Sequence, residues 1–418
     1  MKLSTLGSNK YVTTVNAILT EVFTGVKPDE ITVYRESESL SMERRKNDLL
    51  DALRLLGLKP QVKEVTLEPE ITKWRDVMSR DESDVFDLTP GRKYMALSAY
   101  YSNAKELRYV YLKNESYGYK VFGYVPFEDL SVIDVRSGRG VNFDPPPTSD
   151  APERSRLLPE SLTALINILS LRGKVETLIS DSEYESLCKM RAGEIVYEEE
   201  NEIREAAKDS LILVDTNVYI NIGPRLERLT RSERGVRLIP LRSVYNELLA
   251  KVNGGSKDRN LYKFIMGLES YRDIHKVPPD KVPSYGDGKM QQKGPPYGDR
   301  EIVEELKRVK QSVEDRVVFV TADVENGNKA HGNAIQTIIL RNKVESKRDV
   351  GELLHCLGST RNLDSPNKDR VAEITLDGEI VAEVMYTPPD LNGGKLTEVR
   401  TLRKDLNYAS MLEKLQSF

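Results

Sequence analysis

The sequence of 418 residues contains few of the side chains that bind soft metals or form disulfides, with only three histidines and two cysteines. Cys188 and Cys356 stand far apart and in no CxxC spacing, which excludes a disulfide framework and a cysteine zinc site and predicts reduced thiols. No apolar run reaches the roughly 18 residues of a membrane helix, and no signal peptide precedes the first strand-like run. We therefore expect a cytoplasmic protein without a membrane partner.

An excess of charge of one sign is also missing. The 62 basic residues are balanced by 66 acidic ones, which leaves a net charge of -4. Any contact with nucleic acid must then come from a local patch of charge rather than from the chain as a whole. The length predicts two or three domains.

Short apolar runs alternate with helical patterns in the first third of the chain. This alternation predicts an α/β fold with a Rossmann-like parallel sheet. The strand candidates of this region are 2–6, 31–34, 62–67, 85–89 and 107–112, with a helix at 40–56.

The rest of the chain divides into a connector, a second α/β region and a C-terminal segment. A Pro-rich linker and a mostly helical connector span 144–208, and a second α/β region spans 209–345. Its strand candidates are 211–214, 236–240 and 317–320. The last segment, 346–418, contains a predicted hairpin around Asp377-Gly378. We predict domains at 1–143 and 209–345, joined by the connector and followed by a small β-rich extension.

Two of the buried strand candidates are followed by an aspartate. Asp215 ends the apolar run of "LILVDTN", and Asp323 comes three residues after "VVFV". Each could cap the helix that follows. Parallel strands, however, end at one edge of a sheet, where ligands bind, so both aspartates could also be site residues.

Two further acids are expected near the same edge. Glu247 lies beside the apolar stripe of the predicted helix 242–252, and Asp299 is the predicted N-cap of a helix, with Asp287 as its competitor. Carboxylates gathered in this way repel one another unless they hold a hard cation, and Mg²⁺ or Mn²⁺ takes oxygen ligands. This pattern is typical of metal-assisted phosphodiester chemistry.

In order and context, the four acids resemble the acidic quartet of PIN-domain ribonucleases, over about 209–345. The resemblance implies metal-dependent cleavage of single-stranded RNA. It makes Asp215 and Asp323 direct metal ligands. Glu247 and Asp299 would complete the metal shell or orient the attacking water, and Asn217 and Thr321 would support the site through hydrogen bonds.

Arginines in "RLERLTRSERGVR" recur at every third position from Arg225 to Arg234. On a helix they would share one face and could meet a phosphate backbone, which makes Arg228 and Arg231 candidate RNA contacts. The alternative is a solvated face paired with Glu227 and Glu233.

The N-terminal sheet has candidate sites of its own in "TLGSNKY" (5–11) and "FDLTPGRKYM" (86–95). In the second, Pro90-Gly91 turns the chain and Arg92-Lys93 opens a helix. Backbone N–H groups, a helix dipole and two cations together favour a polyanion. The alternative is a turn with solvent-facing basic residues. No GxGxxG fingerprint is present, so we do not expect NAD.

With the opening "STLGS", this stretch resembles the CRISPR-associated Rossmann-fold (CARF) sensor domains, over about 1–135. The resemblance implies a homodimer that binds a cyclic oligoadenylate, with cyclic tetra-adenylate as the expected ring. It also allows slow cleavage of that ring, in which Lys93 would stabilise charge and Ser8 would place the attacking hydroxyl. Pro90 departs from the family pattern and offers no N–H. The implied ligand contacts are Ser8, Asn9, Thr89, Gly91, Arg92 and Lys93.

Together, the two resemblances predict an ancillary effector of type III CRISPR defence, a ribonuclease switched on by cyclic oligoadenylate. Two alternatives stay open. The protein could be a sensor or adaptor that does not cut, or a constitutive toxin-type PIN ribonuclease.

Overall fold

A largely parallel sheet forms from the first third of the chain, where apolar runs alternate with helices. The computed structural model describes residues 1–36, 45–114, 118, 120–149, 151–179, 184–254, 261–276, 299–346, 349–359, 369–388 and 395–416. The strands of this sheet are β1 (Lys2–Leu6), β2 (Glu30–Glu36), β3 (Gln61–Leu67), β4 (Val85–Asp87), β5 (Glu106–Leu112), β6 (Leu130–Asp134) and β7 (Gly140–Val141). All five predicted strands are present.

The strand order is β3-β2-β1-β4-β5-β6-β7, with β1 to β5 parallel and the last two strands antiparallel. The order reverses between β1 and β4, so the loops after these two strands leave the same edge of the sheet. Ligands bind at such a switch point in open α/β sheets. The helices of this region are α1 (Tyr11–Phe23), α2 (Lys46–Leu55), α3 (Ile71–Met78) and α4 (Lys93–Ala99), with a 3₁₀ helix at Phe127–Asp129.

One core cluster of this sheet is aromatic and aliphatic, and it lies against α3 and α4. Trp74 is fully buried in it, and its indole N–H donates to the Glu68 carbonyl at 3.0 Å. The Tyr34 hydroxyl donates to Asp81 Oδ2 at 2.7 Å, so the polar groups of both large aromatic residues are satisfied. Its buried members are Leu6, Tyr34, Trp74, Met78, Phe86, Leu88, Met95, Ala99, Ala104 and Leu107.

The region 144–208, predicted as linker and mostly helical connector, contains strands as well as helices. Its first elements are β8 (Arg154–Leu157), α5 (Pro159–Ser170) and β9 (Val175–Ile179). The strands pair with segments from the end of the chain, which the local sequence pattern could not reveal.

A second set of elements contains the other parallel sheet. In chain order these are α6 (Glu185–Ala192), β10 (Ile195–Tyr197), α7 (Glu200–Ala206), β11 (Ser210–Val214), α8 (Thr216–Leu229), β12 (Arg231–Ser232), β13 (Gly235–Val236), α9 (Arg242–Gly254), α10 (Leu261–His275), α11 (Asp299–Ser312), β14 (Arg316–Thr321), α12 (Val324–Gly332), β15 (Gln336–Ile339), β16 (Lys343–Glu345) and α13 (Val350–Gly358).

The sheet order here is β11-β14-β15, with parallel pairing throughout. Every residue of β11 is buried, as its unbroken apolar run predicts. The strand predicted at 236–240 is reduced to a single parallel bridge between Leu238 and Ile212, because Gly235 and Val236 pair with β12 in a hairpin instead.

The end of the chain returns to the first set of elements. It forms β17 (Arg370–Leu376), β18 (Glu379–Met385), β19 (Thr397–Thr401), a 3₁₀ helix at Lys404–Leu406, and α14 (Tyr408–Leu415). These strands join β8 and β9 in an antiparallel sheet of order β8-β19-β18-β17-β9. The predicted hairpin is confirmed, since Asp377 and Gly378 connect its strands with φ of 51° and 86°, as a two-residue turn requires.

The chain therefore divides into two compact units. The first contains residues 1–180, 361–387 and 395–418, and the second contains 181–360 and 388–394. Each unit has its own sheets and its own buried residues, and the predicted α/β class is confirmed.

The two cysteines are bonded to each other, which corrects the prediction of reduced thiols. Cys188 on α6 and Cys356 on α13 have Cα atoms 5.4 Å apart and are separated by 168 positions in sequence. The sequence argument was wrong because it considered spacing along the chain, whereas the fold brings two distant helices together. Among the described residues, no helix is both long enough and apolar enough to cross a membrane.

Candidate functional site

Two acids follow neighbouring parallel strands of the second unit at the same edge. Asp215 comes directly after β11 and its backbone N–H donates to the Val320 carbonyl on β14 at 3.0 Å, while Asp323 follows β14. Both are N-caps, as one of the two sequence interpretations allowed. The Asp215 carboxylate accepts from Thr216 N at 2.7 Å, and that of Asp323 accepts from two N–H groups of α12.

The Asp215 carboxylate is held by more groups than a cap requires. Its Oδ2 accepts hydrogen bonds from Thr321 Oγ1 at 2.6 Å, from Asn217 Nδ2 at 3.2 Å and from Asn326 Nδ2 at 3.2 Å. The residue is only 2% exposed. Three convergent donors stabilise a negative charge on this buried oxygen and fix its direction.

Thr321 and Asn326 connect the two aspartates. Thr321 Oγ1 donates to Asp215 and accepts from Asp323 N at 2.9 Å. The Asn326 backbone N–H donates to Asp323 Oδ1 at 3.1 Å, while its side-chain amide reaches Asp215. Asn326 was not predicted from the sequence. The available signal was its position three residues after a capping aspartate, because the backbone N–H at that position can donate to the capping carboxylate.

The predicted supporting residue Asn217 contributes a second link. Its Nδ2 donates to Asp215, and its Oδ1 accepts from Ala322 N at 3.0 Å. It therefore connects the start of α8 to the segment between β14 and α12.

Glu247 approaches the same edge from α9. Its Oε2 accepts a hydrogen bond from Thr216 Oγ1 at 2.6 Å, and Thr216 directly follows Asp215. Thr216 was also missed, since a threonine at the start of a helix usually reads as part of a cap. Three of the four predicted acids are thus joined by a network of bridging side chains, which include Thr216, Thr321 and Asn326.

The fourth acid can be placed only by its backbone. Asp299 is the first residue of α11, but its side chain and the competing Asp287 lie outside the described residues. Among the side chains that the structure does describe, no three or more His, Cys, Asp or Glu are grouped so that they could hold a metal ion.

The donor atoms present at this edge nevertheless suit a hard cation. Asn326 is 3% exposed, and its Oδ1 has no hydrogen-bond partner in the described part of the chain. At Asp323, the cap bonds from Glu325 N and Asn326 N both end on Oδ1. Carboxylate and amide oxygens are the ligands that Mg²⁺ and Mn²⁺ take, so the residue types fit the expected ion.

The four arginines do not share one helical face as predicted, because α8 ends at Leu229, before Arg231 and Arg234. Arg225 is buried and its Nη2 bonds Glu200 Oε1 at 2.9 Å, while Arg231 lies in β12 and pairs with Glu227. Arg234 lies in the turn between β12 and β13. Arg228 in the last turn of α8 and Arg231 in β12 are both exposed, and their contact with RNA stays a prediction.

In the first unit, the loop after β1 is held close to the sheet. Gly7 N donates to the Tyr34 carbonyl at 2.6 Å, and a Cβ at Gly7 would lie 2.8 Å from the Cβ of Arg35. Only glycine fits there. Ser8 N donates to Thr14 Oγ1 at 3.0 Å, and Asn9 is exposed at the edge.

The loop after β4 is anchored by Thr89. Its N–H and hydroxyl donate to the two carboxyl oxygens of Asp87 at 2.8 and 3.1 Å, and the hydroxyl accepts from Val110 N at 2.8 Å. Asp87 is fully buried beside Glu21, which Arg108 contacts at 2.6 Å. Burial and the neighbouring Glu21 raise the pKa of Asp87 well above its usual range.

The cations of this loop are displayed at the edge. Gly91 has φ of 86°, which glycine adopts without strain, and Arg92 and Lys93 are exposed. Arg92 Nε lies 3.4 Å from Oε2 of Glu36, a buried acid that also accepts from the Tyr94 hydroxyl. Glu36 ends β2 beside the residues that could bind an anion, and it was not predicted from the sequence.

No family model matches the chain, and no curated protein matches it. Among solved structures, Can2 from Sulfobacillus thermosulfidooxidans in complex with cyclic tetra-adenylate is similar at 9% identity and a TM-score of 0.28, over 84% of this chain and 98% of that chain. Protein VC1899 from Vibrio cholerae is similar at 10% identity and a TM-score of 0.28, over 81% of this chain and 93% of that chain.

Proposed function

We propose that the protein is a metal-dependent endoribonuclease whose cleavage of single-stranded RNA is switched on by a cyclic oligoadenylate bound to its N-terminal unit. The observation that carries the proposal is the network around Asp215. A helix cap needs one acceptor, yet Asp215 receives three further donors, and two of these residues, Thr321 and Asn326, also bond to Asp323. Thr216, which caps onto Asp215, bonds to Glu247 through its hydroxyl. A network of this kind prepares carboxylates for a shared ligand.

The chain's own residues would mainly bind the metal ion and hold its ligands in position. Asp215 and Asp323 would hold the cation, with Glu247 and Asp299 completing its shell or orienting water. When bound, Mg²⁺ or Mn²⁺ supplies an activated water and offsets the charge of the phosphate. Thr321 and the two asparagines at 217 and 326 would keep the Asp215 oxygen in one orientation while substrate binds.

The sensing half of the proposal depends on the edge of the first sheet. Ser8, Asn9 and the 89–93 loop lie after β1 and β4, at the switch point where ligands bind. Arg92 and Lys93 are exposed there and would meet phosphates, and the motif resemblance supplies the ligand class. A two-fold ring would be bound by two copies of the chain, each offering the same loops. The ligand can favour cleavage only by its differential affinity for the active state.

A sensor that does not cut is the second candidate. It is favoured by the finding that Asp215 and Asp323 both cap helices, which accounts for their positions without a metal. The two candidates differ in one measurable property, since only the nuclease should bind Mn²⁺.

The test is an RNA cleavage assay with Mn²⁺, with and without cyclic tri-, tetra- and hexa-adenylate. We expect cleavage that rises with one ring and is abolished in Asp215→Asn. Asp209→Asn is the matched control, because Asp209 is exposed at the opposite end of β11. Equal cleavage with and without every ring would refute the switch, and cleavage by Asp215→Asn would refute the site.

A parallel test addresses ligand binding. Arg92→Ala should raise the ring concentration needed for activation, whereas Lys105→Ala should not. Lys105 is an exposed cation that pairs with Asp84 at 2.6 Å, before β5 begins and away from the switch-point loops. If both variants respond to the ring as the wild type does, the 89–93 loop is not the binding site.

A further inference from the structure

The helix that carries Glu247 begins without a capping residue of its own. The residue before α9 is Leu241, whose side chain cannot accept a hydrogen bond, and the first N–H groups of a helix have no partner within it. The local sequence therefore leaves the N–H groups of Arg242 and Ser243 unsatisfied.

A carboxylate from α11 supplies the missing acceptors. Glu305 Oε1 accepts from Arg242 N at 2.9 Å, and its Oε2 accepts from Ser243 N at 2.8 Å and from Ser243 Oγ at 2.5 Å. Glu305 is 7% exposed. A buried acid with three donors at a positive helix end is strongly held, so α9 and α11 are tied at this point.

Each of the two tied helices carries one of the proposed acids. Glu247 follows Ser243 by about one helical turn, and Asp299 begins α11, less than two turns before Glu305. A shift of either helix would move its acid relative to the other, because α-helices move as rigid elements.

We propose that Glu305 is a positioning residue that sets the distance between Glu247 and the start of α11, and so the shape of the metal shell. The inference rests on the proposed function. Glu305 would act through α9, because both of its carboxylate oxygens accept hydrogen bonds from the first residues of that helix.

The test compares two caps of the same kind. Asp349 accepts from Gly351 N at 3.1 Å and Glu352 N at 3.2 Å, and so caps α13 in the same unit without a proposed acid on that helix. Glu305→Ala and Asp349→Ala each remove one capping carboxylate, so both should lower the melting temperature. Only Glu305→Ala should weaken Mn²⁺ binding, by roughly tenfold, as measured by titration calorimetry on the full chain.

Glu305→Gln keeps one acceptor oxygen and should recover part of the Mn²⁺ affinity, and it replaces Glu305→Ala if that variant does not fold. Unchanged Mn²⁺ affinity in both Glu305 variants would overturn the inference, as would an equal loss in Asp349→Ala. Either result would contradict only the role of Glu305 and would not contradict the proposed metal site. A wild-type protein that binds no Mn²⁺ would instead overturn the proposed nuclease, and this inference with it.

Discussion

Replacing both cysteines should destabilise the second unit by an amount that the loop length predicts. The bond between Cys188 and Cys356 closes a loop of 168 positions that contains the whole β11-β14-β15 sheet. In the chain-entropy treatment, closing a loop of that length removes about 17 cal/mol/K from the unfolded chain, or about 5 kcal/mol at room temperature.

The expected change in melting temperature follows from the size of the unit. For a domain of about 180 residues, each kcal/mol lowers the melting temperature by about 2–4 °C, so Cys188→Ala/Cys356→Ala should melt about 10–20 °C below the oxidised protein. Cys188 and Cys356 are buried, at 0% and 1% exposure, so a cavity would add to this loss in the alanine variant.

Reduced wild-type protein separates the two contributions, since it keeps both sulfur atoms and loses only the covalent bond. Circular dichroism follows the thermal unfolding of the oxidised, reduced and doubly substituted proteins. The three melting temperatures give the contribution of the bond and that of the cavity. We expect the reduced protein to melt below the oxidised protein and above the double variant. Thiol titration of the unreduced, denatured chain should find no free thiol. Two free thiols, or equal melting temperatures in all three samples, would refute the reasoning.

Three further predictions concern buried polar groups. Thr321→Val removes the hydroxyl that joins the two aspartates and should lower the cleavage rate roughly 10- to 100-fold, with Mn²⁺-dependent turnover as the assay. Burial lowers the pKa of His275 to about 4, so the unfolded chain binds a proton that the folded chain does not, and stability should fall as the pH drops from about 6.5 towards 4. Urea unfolding at pH 7 and pH 5 should show this loss, and His275→Gln should reduce it, whereas His331→Gln should not. The raised pKa of Asp87 predicts the opposite slope, with stability lost as the pH rises above about 4 towards the raised folded value. Asp87→Asn should flatten that slope, and a variant with an unchanged slope would contradict the raised pKa of Asp87.

The parallel sheets could be predicted because their strands have a local signature. The run 211–214 is unbroken and apolar, and β11 is accordingly buried on both faces. The turn at Asp377-Gly378 could be predicted for the same reason, since two adjacent residues with positive φ determine it. Features that depend on a few neighbouring residues are readable from sequence.

Features that depend on distant residues were not predicted. The antiparallel sheet joins 154–157 and 175–179 to strands from 370–401. Nothing in the sequence of either segment indicates which strand it pairs with. The arginine pattern was misread because its three-residue spacing continues past Leu229, where the helix has already ended.

The candidate site was predicted by residue type rather than by contacts. Acids at strand ends have a sequence signature, and so Asp215 and Asp323 could be chosen. The groups that orient them, such as Asn326 and Thr216, are defined only by hydrogen bonds across the fold. Glu305 could not be predicted for the same reason, because its hydrogen-bond partners lie 62 and 63 positions away in sequence.

The most direct test of the account is anomalous diffraction from crystals of the full chain grown with Mn²⁺. The account predicts a peak at the edge of the β11-β14-β15 sheet, within about 2.0–2.4 Å of oxygens from Asp215 and at least two of Glu247, Asp299 and Asp323. Mn²⁺ bound only elsewhere, or no peak at this edge at a saturating concentration, would contradict it.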